Sequence, residues 1–473
     1  MRAWCVTGAA ALLLTAAAAR AVTDRESDAL ARDIFRELVQ INTTASSGSV
    51  TAAAEAMARR LRAAGYAADD IQLAGPVERK HNLLVRLHGS GRHRPLLLIG
   101  HLDVVEARRE DWSTDPFQFV EKDGYYYGRG TQDMKDGDAI MVSALIRLKQ
   151  ENFRPSRDIL LALTADEEGG TDNGVQWLLQ KRPELREAQF AFNHDQNSVV
   201  SEHGKPQFFE MDATEKLYAD YRLTAVNPGG HSSQPVPDNA IYELAAALGR
   251  LSQFAFPFEL NAITRAYYEQ MADIEGGQRA SDMRAILQTV PDPAAIARLS
   301  RDPKDNSILH TTCVATRLDG GHANNALPQR ASANINCRIL PGHSLEEVRE
   351  ALAKAIADPD IRVQYVDLDG SLRDHAAERR SVSPPPLAPE VMHPLQKVVS
   401  SMWPGLRVVP TMSTGATDGV FTSAANIPTY VIGGVQVDRD DVREHGRDER
   451  LGIKSFERGN EFYYRFLKAV CSN

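Results

Sequence analysis

A short apolar run, Leu96–Ile99, constrains the fold of this chain more than any other segment. Four consecutive apolar residues are too few to span a membrane and are typical of a strand buried on both faces of a parallel sheet. The run ends at Gly100 and is followed by His101 and Asp103. Because side chains alternate along a strand, these two are predicted to point to the same side, like a metal-binding histidine and the carboxylate that orients it.

The same pattern, a buried strand that ends in polar residues, recurs further along the chain. Strands predicted at 158–164 and 190–193 run into Glu167-Glu168 and into Asp195, respectively. Segments with helical spacing of apolar residues separate the strands, so the order is strand, helix, strand, helix. This order predicts an α/β fold whose mainly parallel sheet has helices on both faces. Sites in such sheets form at the carboxyl ends of the strands, where these acids are expected to converge with the histidine.

The pattern changes near Thr214. Antiparallel strands are predicted at 216–226, 311–318, 332–340 and 361–368, with helices at 239–254 and 344–357. Four such strands and two helices predict an inserted α+β domain of ferredoxin-like type, extended by a helical stretch from Phe256 to Pro303.

The 473 residues are too many for one core, so more than one domain is expected. The predicted organisation is a signal peptide at 1–21, a catalytic domain formed by 22–213 and 384–473, and a lid and dimerisation domain at 214–383. A Pro/Ser-rich segment at 379–389 reads as the linker between the lid and the second catalytic part.

The N-terminus resembles an export signal. Arg2 precedes a small apolar stretch at 6–19, and Ala19-Arg20-Ala21 fits a cleavage site, so a periplasmic or secreted protein that starts at Val22 is expected. An uncleaved anchor is the alternative. No later segment has eighteen uninterrupted apolar residues, so no membrane span is expected beyond it.

The charge and the cysteines limit the possible partners and bonds. The net charge is −9, and no Lys/Arg-rich run has interleaved aromatic residues, which argues against nucleic acid as a partner. Cys313 and Cys337 lie in two neighbouring predicted strands and could form a disulfide in an oxidising compartment. Two separate buried thiols fit the sequence equally well, because cross-strand bonding demands a specific geometry.

The adjacent acids Glu167 and Glu168 are the strongest chemical signal. Two carboxylates at a buried strand end repel each other and lose hydration unless a cation is present. A solvated turn is the alternative for such a pair taken alone, but the Gly-Gly that follows permits a tight turn into a cleft. A Gly-flanked turn carries another acid, Asp133, and a loop before the last helix carries His445.

Two histidines and three carboxylates suit two zinc ions with one bridging carboxylate. The candidate ligands are His101, Asp133, Glu168, Asp195 and His445. Glu167 remains free to act as the base that takes a proton from water. Such a site polarises a carbonyl and activates water near neutral pH, so it favours hydrolysis of an amide.

Five motifs in the same order resemble the co-catalytic zinc exopeptidases and deacylases. This family includes carnosinase-like dipeptidases, aminoacylases, glutamate carboxypeptidases, acetylornithine deacetylase and succinyl-diaminopimelate desuccinylase, and the resemblance is nearest to the exported peptidases and N-acyl-amino-acid hydrolases. It covers essentially the whole chain after the signal. The motifs are Gly-His-Leu-Asp-Val-Val (100–105), Gly-Arg-Gly-Thr-Gln-Asp-Met-Lys (128–135), Asp-Glu-Glu-Gly-Gly (166–170), Gly-Gly-His-Ser-Ser (229–233) and Gly-Gly-x-x-Asn-Asn-Ala-Leu-Pro (320–328).

The resemblance implies roles for the catalytic-domain residues. The five candidates match the metal ligands, with Asp133 as the bridge, Asp103 as the acid behind the first histidine and Glu167 as the general base. One segment departs from the family pattern. Many members have Asp-Glu-Gly-Gly or Asn-Glu-Gly-Gly at the fourth ligand, whereas this chain has Asn-His-Asp at 193–195. Asp195 is the preferred ligand, and His194 replaces it if the register differs by one.

The resemblance also implies that the lid contributes to the site. His231 matches a histidine that polarises the substrate carbonyl, often from the partner subunit, so a homodimer through the lid is expected. Asn325 and Arg338 match residues that grip the substrate carboxylate, a task for which the guanidinium fork is well shaped. The loop 413–418 matches a family loop near the same end of the substrate.

Two zinc ions are the expected cofactors, with cobalt or manganese as substitutes. The expected activity is that of a metallo-carboxypeptidase or dipeptidase, with N-acyl-amino-acid deacylation as the alternative. A single-domain zinc aminopeptidase is disfavoured by the 250 positions between Asp195 and His445. A catalytically silent binding protein on this scaffold is disfavoured because the chain keeps every ligand and the base. The helical stretch and the export signal favour peptide scavenging outside the cytoplasm over a role in biosynthesis.

Overall fold

The computed structural model describes residues 22–377, 382–384 and 386–472. The predicted signal peptide and part of the predicted linker lie outside these residues. The helices are α1 (Asp24–Gln40), α2 (Val50–Ala63), α3 (Lys135–Gln150), α4 (Gly174–Lys181), α5 (Ala240–Ser252), α6 (Ala262–Ile274), α7 (Gly277–Ile286), α8 (Pro293–Leu299), α9 (Pro303–Leu309), α10 (Leu345–Ile356), α11 (Pro389–Met402), α12 (Gly419–Ala424) and α13 (Ile453–Val470).

The strands follow the same chain-order numbering. They are β1 (Ile71–Ala74), β2 (Asn82–Leu87), β3 (Leu96–His101), β4 (Val120–Lys122), β5 (Tyr125–Tyr127), β6 (Ile159–Thr164), β7 (Phe190–Asn193), β8 (Val199–Glu202), β9 (Lys205–Glu215), β10 (Leu217–Val226), β11 (Gly230–His231), β12 (Thr312–Gly320), β13 (Ala326–Leu327), β14 (Arg330–Ile339), β15 (Ile361–Val366), β16 (Leu372–Arg373), β17 (Val408–Ser413), β18 (Thr429–Val431), β19 (Gln436–Asp438) and β20 (Arg450–Gly452).

A large mixed sheet forms the core of the first unit. Its strand order is β1-β2-β6-β3-β7-β18-β9-β8-β19, and β17 pairs with β9 off this path. The central strands β6, β3, β7 and β18 run parallel to one another, whereas β1 and β2 at one edge and the pair of β18 with β9 are antiparallel. The carboxyl ends of the parallel strands therefore meet at one edge of the sheet, as predicted.

Helices cover both faces of this sheet. Leu96 and Leu98 of β3 pack into a core with helices α1, α2, α3, α11 and α13. Leu97 and Ile99 of the same strand point to the other face and pack with residues of α4. Because β3 is buried on both sides, its sequence is continuously apolar. The predicted α/β class with a mainly parallel sheet is confirmed.

A smaller antiparallel sheet forms the second unit. Its strand order is β12-β14-β10-β15-β16, and α5 and α10 pack on one face around a separate core. Cys313 and Cys337 stand opposite each other on β12 and β14 and form a disulfide. The predicted α+β lid is therefore present, and the question of disulfide or separate thiols is answered in favour of the disulfide.

The helical stretch between the two units does not enlarge the small sheet's core. Tyr267 and Met271 of α6 pack with Phe208, Val409 and Met412, next to or within β9 and β17 of the large sheet. The predicted helical stretch is therefore present, and it packs largely against the large sheet. The apolar side chains of these helices are buried against two strands of the large sheet. Within the described residues, no helix is both long and apolar enough to cross a bilayer.

Candidate metal centre

His101 ends β3, and its ring is fixed by the chain just beyond it. Nδ1 lies 3.0 Å from the main-chain oxygen of Asp103, which can only accept, so Nδ1 carries the proton. The Asp103 carboxylate, expected to take this proton, lies further away at 3.9 Å. It instead accepts the main-chain N–H groups of Glu167 and Glu168 at 3.2 and 3.1 Å. Asp103 therefore orients the histidine through its backbone and the acidic turn through its side chain.

Asp133 lies between two histidines that are far apart in the sequence. Its Oδ1 is 3.0 Å from Nε2 of His101, and its Oδ2 is 2.9 Å from Nε2 of His445. Nε2 of His445 is also 3.0 Å from Oε2 of Glu168. On the other side, Oδ1 of Asp195 lies 3.5 Å from Nε2 of His101. The five predicted ligands thus form two clusters that share one carboxylate.

The residues present fit metal ions. Because Nδ1 of His101 holds the ring proton, Nε2 presents a lone pair to the lone pairs of Oδ1 of Asp133. Neither of these two buried atoms has a hydrogen-bond partner in the part of the chain that the structure describes. Two acceptors 3.0 Å apart repel each other unless a cation lies between them. No described Lys or Arg forms an ion pair with Asp103, Asp133, Glu167, Glu168 or Asp195. The donor set of imidazole and carboxylate suits a divalent metal.

Two overlapping groups of three side chains could each hold an ion. Their ligand atoms all lie within 4.8 Å of one another, and the groups are His101 with Glu167 and Asp195, and His101 with Asp133 and Glu168. Glu167 therefore lies close enough to share the position beside Asp195. His194 is in neither group. Its buried ring packs against Tyr463 at 5.0 Å between centroids, so the geometry places Asp195 rather than His194 beside the first histidine.

Burial and neighbouring charges shift the pKa values of several of these groups, among them Glu167 and His445. Burial raises the pKa of Glu167 well above its usual range, and Asp195 and Asp418 add to this effect. Hydrogen bonds with Asp133 and Glu168 raise the pKa of His445 to about 10. A carboxyl group with a raised pKa is suited to hold a proton at neutral pH and to return it, which is the behaviour required of a general base and acid.

The turn that carries Glu167 and Glu168 is held from two more sides. Lys80 donates to the buried carboxylate of Asp166 at 2.5 Å. The same carboxylate also accepts the main-chain N–H of Asp172. The side-chain N–H of Asn173 donates to the buried carboxylate of Asp418 at 2.6 Å. The side-chain oxygen of Asn173 caps α4 by accepting a main-chain N–H of that helix. The loop 413–418 therefore lies under the acidic turn.

A buried ion pair supports the segment around Asp133. Arg129 donates to Glu449 at 2.7 Å, and both side chains are almost completely excluded from solvent. The Glu449 carboxylate also accepts the main-chain N–H groups of Gly130, Gln132 and Asp133. Sequence reasoning missed this role of Glu449. The available signal in the sequence was its position four residues after His445, because an acid in the same loop as a candidate ligand is expected to lie near the site.

The lid residues lie apart from this centre. His231 is exposed, and its Nδ1 accepts the main-chain N–H of Ser233 at 3.1 Å, so the ring N–H is at Nε2. Short strands β11 and β13 place His231 opposite Ala326, and the main-chain oxygen of Asn325 accepts the N–H of Ser232. No hydrogen bond or ion pair between described residues joins His231, Asn325 or Arg338 to the predicted ligands.

Comparison with known proteins identifies the family. Residues 97–469 match the profile of Peptidase family M20/M25/M40. The chain belongs to this family. It is therefore an enzyme that hydrolyses amide bonds, and the family binds metal in a dinuclear site, as the resemblance implied.

Two relatives and one solved structure show how far the similarity extends. The N-fatty-acyl-amino acid synthase/hydrolase PM20D1 of Mus musculus is 27% identical over 82% of this chain and 77% of its own length. Aminoacylase-1 of Pongo abelii is 25% identical over 93% and 95%, respectively. The M20 family metallo-carboxypeptidase Sso-CP2 from Sulfolobus solfataricus has a TM-score of 0.69 and 15% identity, with 94% and 99% of the two chains covered, and shows the catalytic-plus-lid fold.

Proposed function

We propose that this enzyme is a dizinc hydrolase that cleaves the amide bond next to a free carboxylate, as a metallo-carboxypeptidase or dipeptidase. The observation that carries the proposal is the position of Asp133, whose two oxygens lie 3.0 and 2.9 Å from the Nε2 atoms of His101 and His445. A carboxylate that faces two imidazoles in this way would serve as the shared ligand of a two-metal site.

Each ion would have its own set of ligands in addition to the bridge. His101 and Asp195 would hold one ion, and Glu168 and His445 the other. When bound, the two ions supply Lewis acidity that polarises the amide carbonyl and lowers the pKa of the attacking water. Zinc fits this donor set best, and cobalt or manganese fit the same ligands.

Glu167 would move the proton. It has no Lys or Arg partner among the described residues, its pKa is raised, and its turn is fixed by two hydrogen bonds to Asp103. It would take a proton from the attacking water and deliver it to the leaving amine nitrogen as the C–N bond breaks. Asp103 would act as a positioning residue, since it touches the histidine and the turn.

The lid would bind the other parts of the substrate. The N–H at Nε2 of His231 is free to donate to the oxygen of the scissile carbonyl. Arg338 forms no ion pair with any described residue, although the chain has an excess of acids. Its guanidinium instead lies 4.8 Å from the Tyr218 ring, which leaves its donors available for the substrate carboxylate together with Asn325.

Deacylation of N-acyl amino acids on the same site is the second candidate. It is favoured by the two relatives described above, both named for acyl-amino-acid chemistry. The two candidates share the metal centre, the base and the carboxylate-binding residues. They differ only in the group on the other side of the scissile bond.

Release of the C-terminal amino acid from dipeptides and N-acyl amino acids tests the proposal. We expect zinc-loaded protein to release it, a chelator to abolish release, and C-terminal amides of the same substrates to react at least about tenfold more slowly. Asp133→Ala should lose both metal binding and activity. Equal rates on acids and amides, or full activity in the chelated sample, would contradict the proposal.

A homodimer through the lid and export after cleavage near Ala21 complete the proposal. Strand β12 is an edge of the small sheet, and it exposes Val314 and Leu318, while the adjacent α5 exposes Ile241 and Tyr242. An exposed apolar edge strand is a surface that a second copy could cover. Export is supported by the sequence pattern at 1–21 alone, which lies outside the described residues.

A further inference from the structure

A cavity of about 870 Å³ lies beside the metal centre. Its rim includes Gln196 and Asn197, which follow Asp195 in the chain, and Glu444, which precedes His445. The side-chain amide of Asn197 donates to the carboxylate of Glu444 at 3.2 Å, so these two rim residues are held together. The cavity therefore begins where the loops carrying two predicted ligands end.

The floor of the cavity is apolar and built by the helical stretch. Phe208 of β9 and Tyr267 and Met271 of α6 line it, and all three are buried. They belong to the core that joins α6–α9 to the large sheet. The floor thus offers a contact surface for an apolar side chain.

The walls of the cavity are charged. Glu210, Lys304 and Arg439 line it, and none of them forms an ion pair with another described residue. Arg439 lies over the Phe208 ring at 5.6 Å. A long alkyl chain in this space would remove water from these charged groups without forming hydrogen bonds to them, which is energetically unfavourable. A peptide main chain offers N–H and C=O groups that can replace the water.

We propose that this cavity binds the residues that precede the scissile bond, so that the enzyme removes single C-terminal amino acids from peptides of three or more residues in preference to N-long-chain-acyl amino acids. The inference rests on the proposed function and assigns the substrate class of that same site. The reaction is unchanged: water adds to the peptide carbonyl carbon, the C–N bond breaks, and the proton passes to the leaving amine.

Substrates that differ only in the group before the scissile bond provide the first test. A dipeptide, a tetrapeptide and an N-lauroyl amino acid, all ending in leucine, are compared with the zinc-loaded full chain by the release of free leucine. We expect kcat/KM for the tetrapeptide to exceed that for N-lauroyl-leucine at least about tenfold. The reverse order would overturn the proposal.

A matched pair of variants provides the second test. Gln207 lines this cavity, whereas Gln436 lines a different cavity of about 930 Å³. The two residues are otherwise matched, because each lies on a strand and its side-chain amide donates to a main-chain oxygen at the turn between β8 and β9. Gln207→Trp should lower kcat/KM for the tetrapeptide at least about tenfold and leave that for the dipeptide within about twofold. Gln436→Trp should leave both unchanged. Equal losses on both substrates in Gln207→Trp, or none on either, would contradict the cavity's role.

The two proposals fail in different ways. Failure of the proposed function appears as no release of leucine from any of the three substrates. Failure of this inference appears as release of leucine without preference for the tetrapeptide over N-lauroyl-leucine. If Gln207→Trp does not fold, the substrate comparison with the unmodified chain still decides.

Discussion

The position of Glu167 depends on side chains that hold its turn and are not among the proposed metal ligands. Asp103 accepts the main-chain N–H groups of Glu167 and Glu168, and Lys80 binds the carboxylate of Asp166 just before them. Asp166 has a left-handed backbone conformation at φ 60°, and its carboxylate lies where a side chain at position 170 would have to go. Gly170 is therefore required there, and Lys80 locks the turn by holding Asp166.

Replacing Lys80 tests this lock. Lys80→Met should lower kcat about ten- to a hundredfold because the base loses its exact alignment, while KM stays within about twofold. Lys80→Arg should restore most of kcat, since it keeps the charge beside Asp166. Lys468→Met removes a comparable ion pair with Glu151 and should leave the kinetics unchanged. Steady-state kinetics at saturating zinc measure the effect, and an unchanged kcat in Lys80→Met would show that the turn does not need this contact.

At the residue scale, the sequence points to candidate ligands more readily than to the residues that support them. The ligands follow strand ends or lie in turns with distinctive neighbours, so each is visible locally. Lys80, Arg129 and Glu449 act through contacts with residues far away in the chain, such as the 320 positions between Arg129 and Glu449. Nothing in the local sequence reveals such a partner.

At the scale of elements, strands that are apolar throughout were predicted well. The bounds of β3, β6 and β7 agree with the sequence analysis to within two residues. Strand β9 was missed because its central residues include Glu210 and Asp212, which do not read as a buried strand. Asp212 is nevertheless buried, with a hydrogen bond from Thr411 of β17 at 2.5 Å, and burial raises its pKa to about 7. Tertiary contacts, rather than local pattern, stabilise that strand.

Lys216 joins the two sheets. It lies between β9 and β10 and is fully buried, and its ammonium group donates to the main-chain oxygens of Ser307 and His310 at 2.8 Å. No carboxylate balances the charge within the described residues. Burial lowers the pKa of Lys216 from 10.5 to about 7, and the nearby Arg338 adds to this effect.

The stability contributed by Lys216 should therefore depend on pH. Between about pH 7 and 10.5 the unfolded chain binds more protons at this lysine than the folded chain does, so its contribution to the free energy of unfolding increases as the pH rises. Lys216→Met lacks this contribution. The difference in unfolding free energy between the native chain and the variant should grow with pH in this window, by at most about 1.4 kcal/mol per unit. Urea titrations at several pH values measure it, and a constant difference would show that Lys216 stays charged.

At the scale of the whole molecule, the proposed dimer depends on a contact between two copies of the lid. Leu318→Arg places a charge on the exposed edge strand β12 and should shift a dimer to a monomer in light scattering. Enzyme activity should fall as the dimer dissociates, because His231 would then no longer reach the metal centre of a partner subunit. Leu368→Arg alters an equally exposed leucine elsewhere in the lid and should change neither property. A fully active monomeric native chain would show that the lid acts within its own subunit.

The role of Glu167 is the most direct test of the whole account, because it depends on the fold, the metal centre and the direction of proton transfer together. The measurement is kcat for release of the C-terminal amino acid by zinc-loaded Glu167→Gln, with metal content determined on the same sample. The account predicts a loss of about 10²- to 10⁴-fold, with two zinc ions per chain retained and KM little changed. A kcat within about tenfold of the native value, at full metal content, would contradict it.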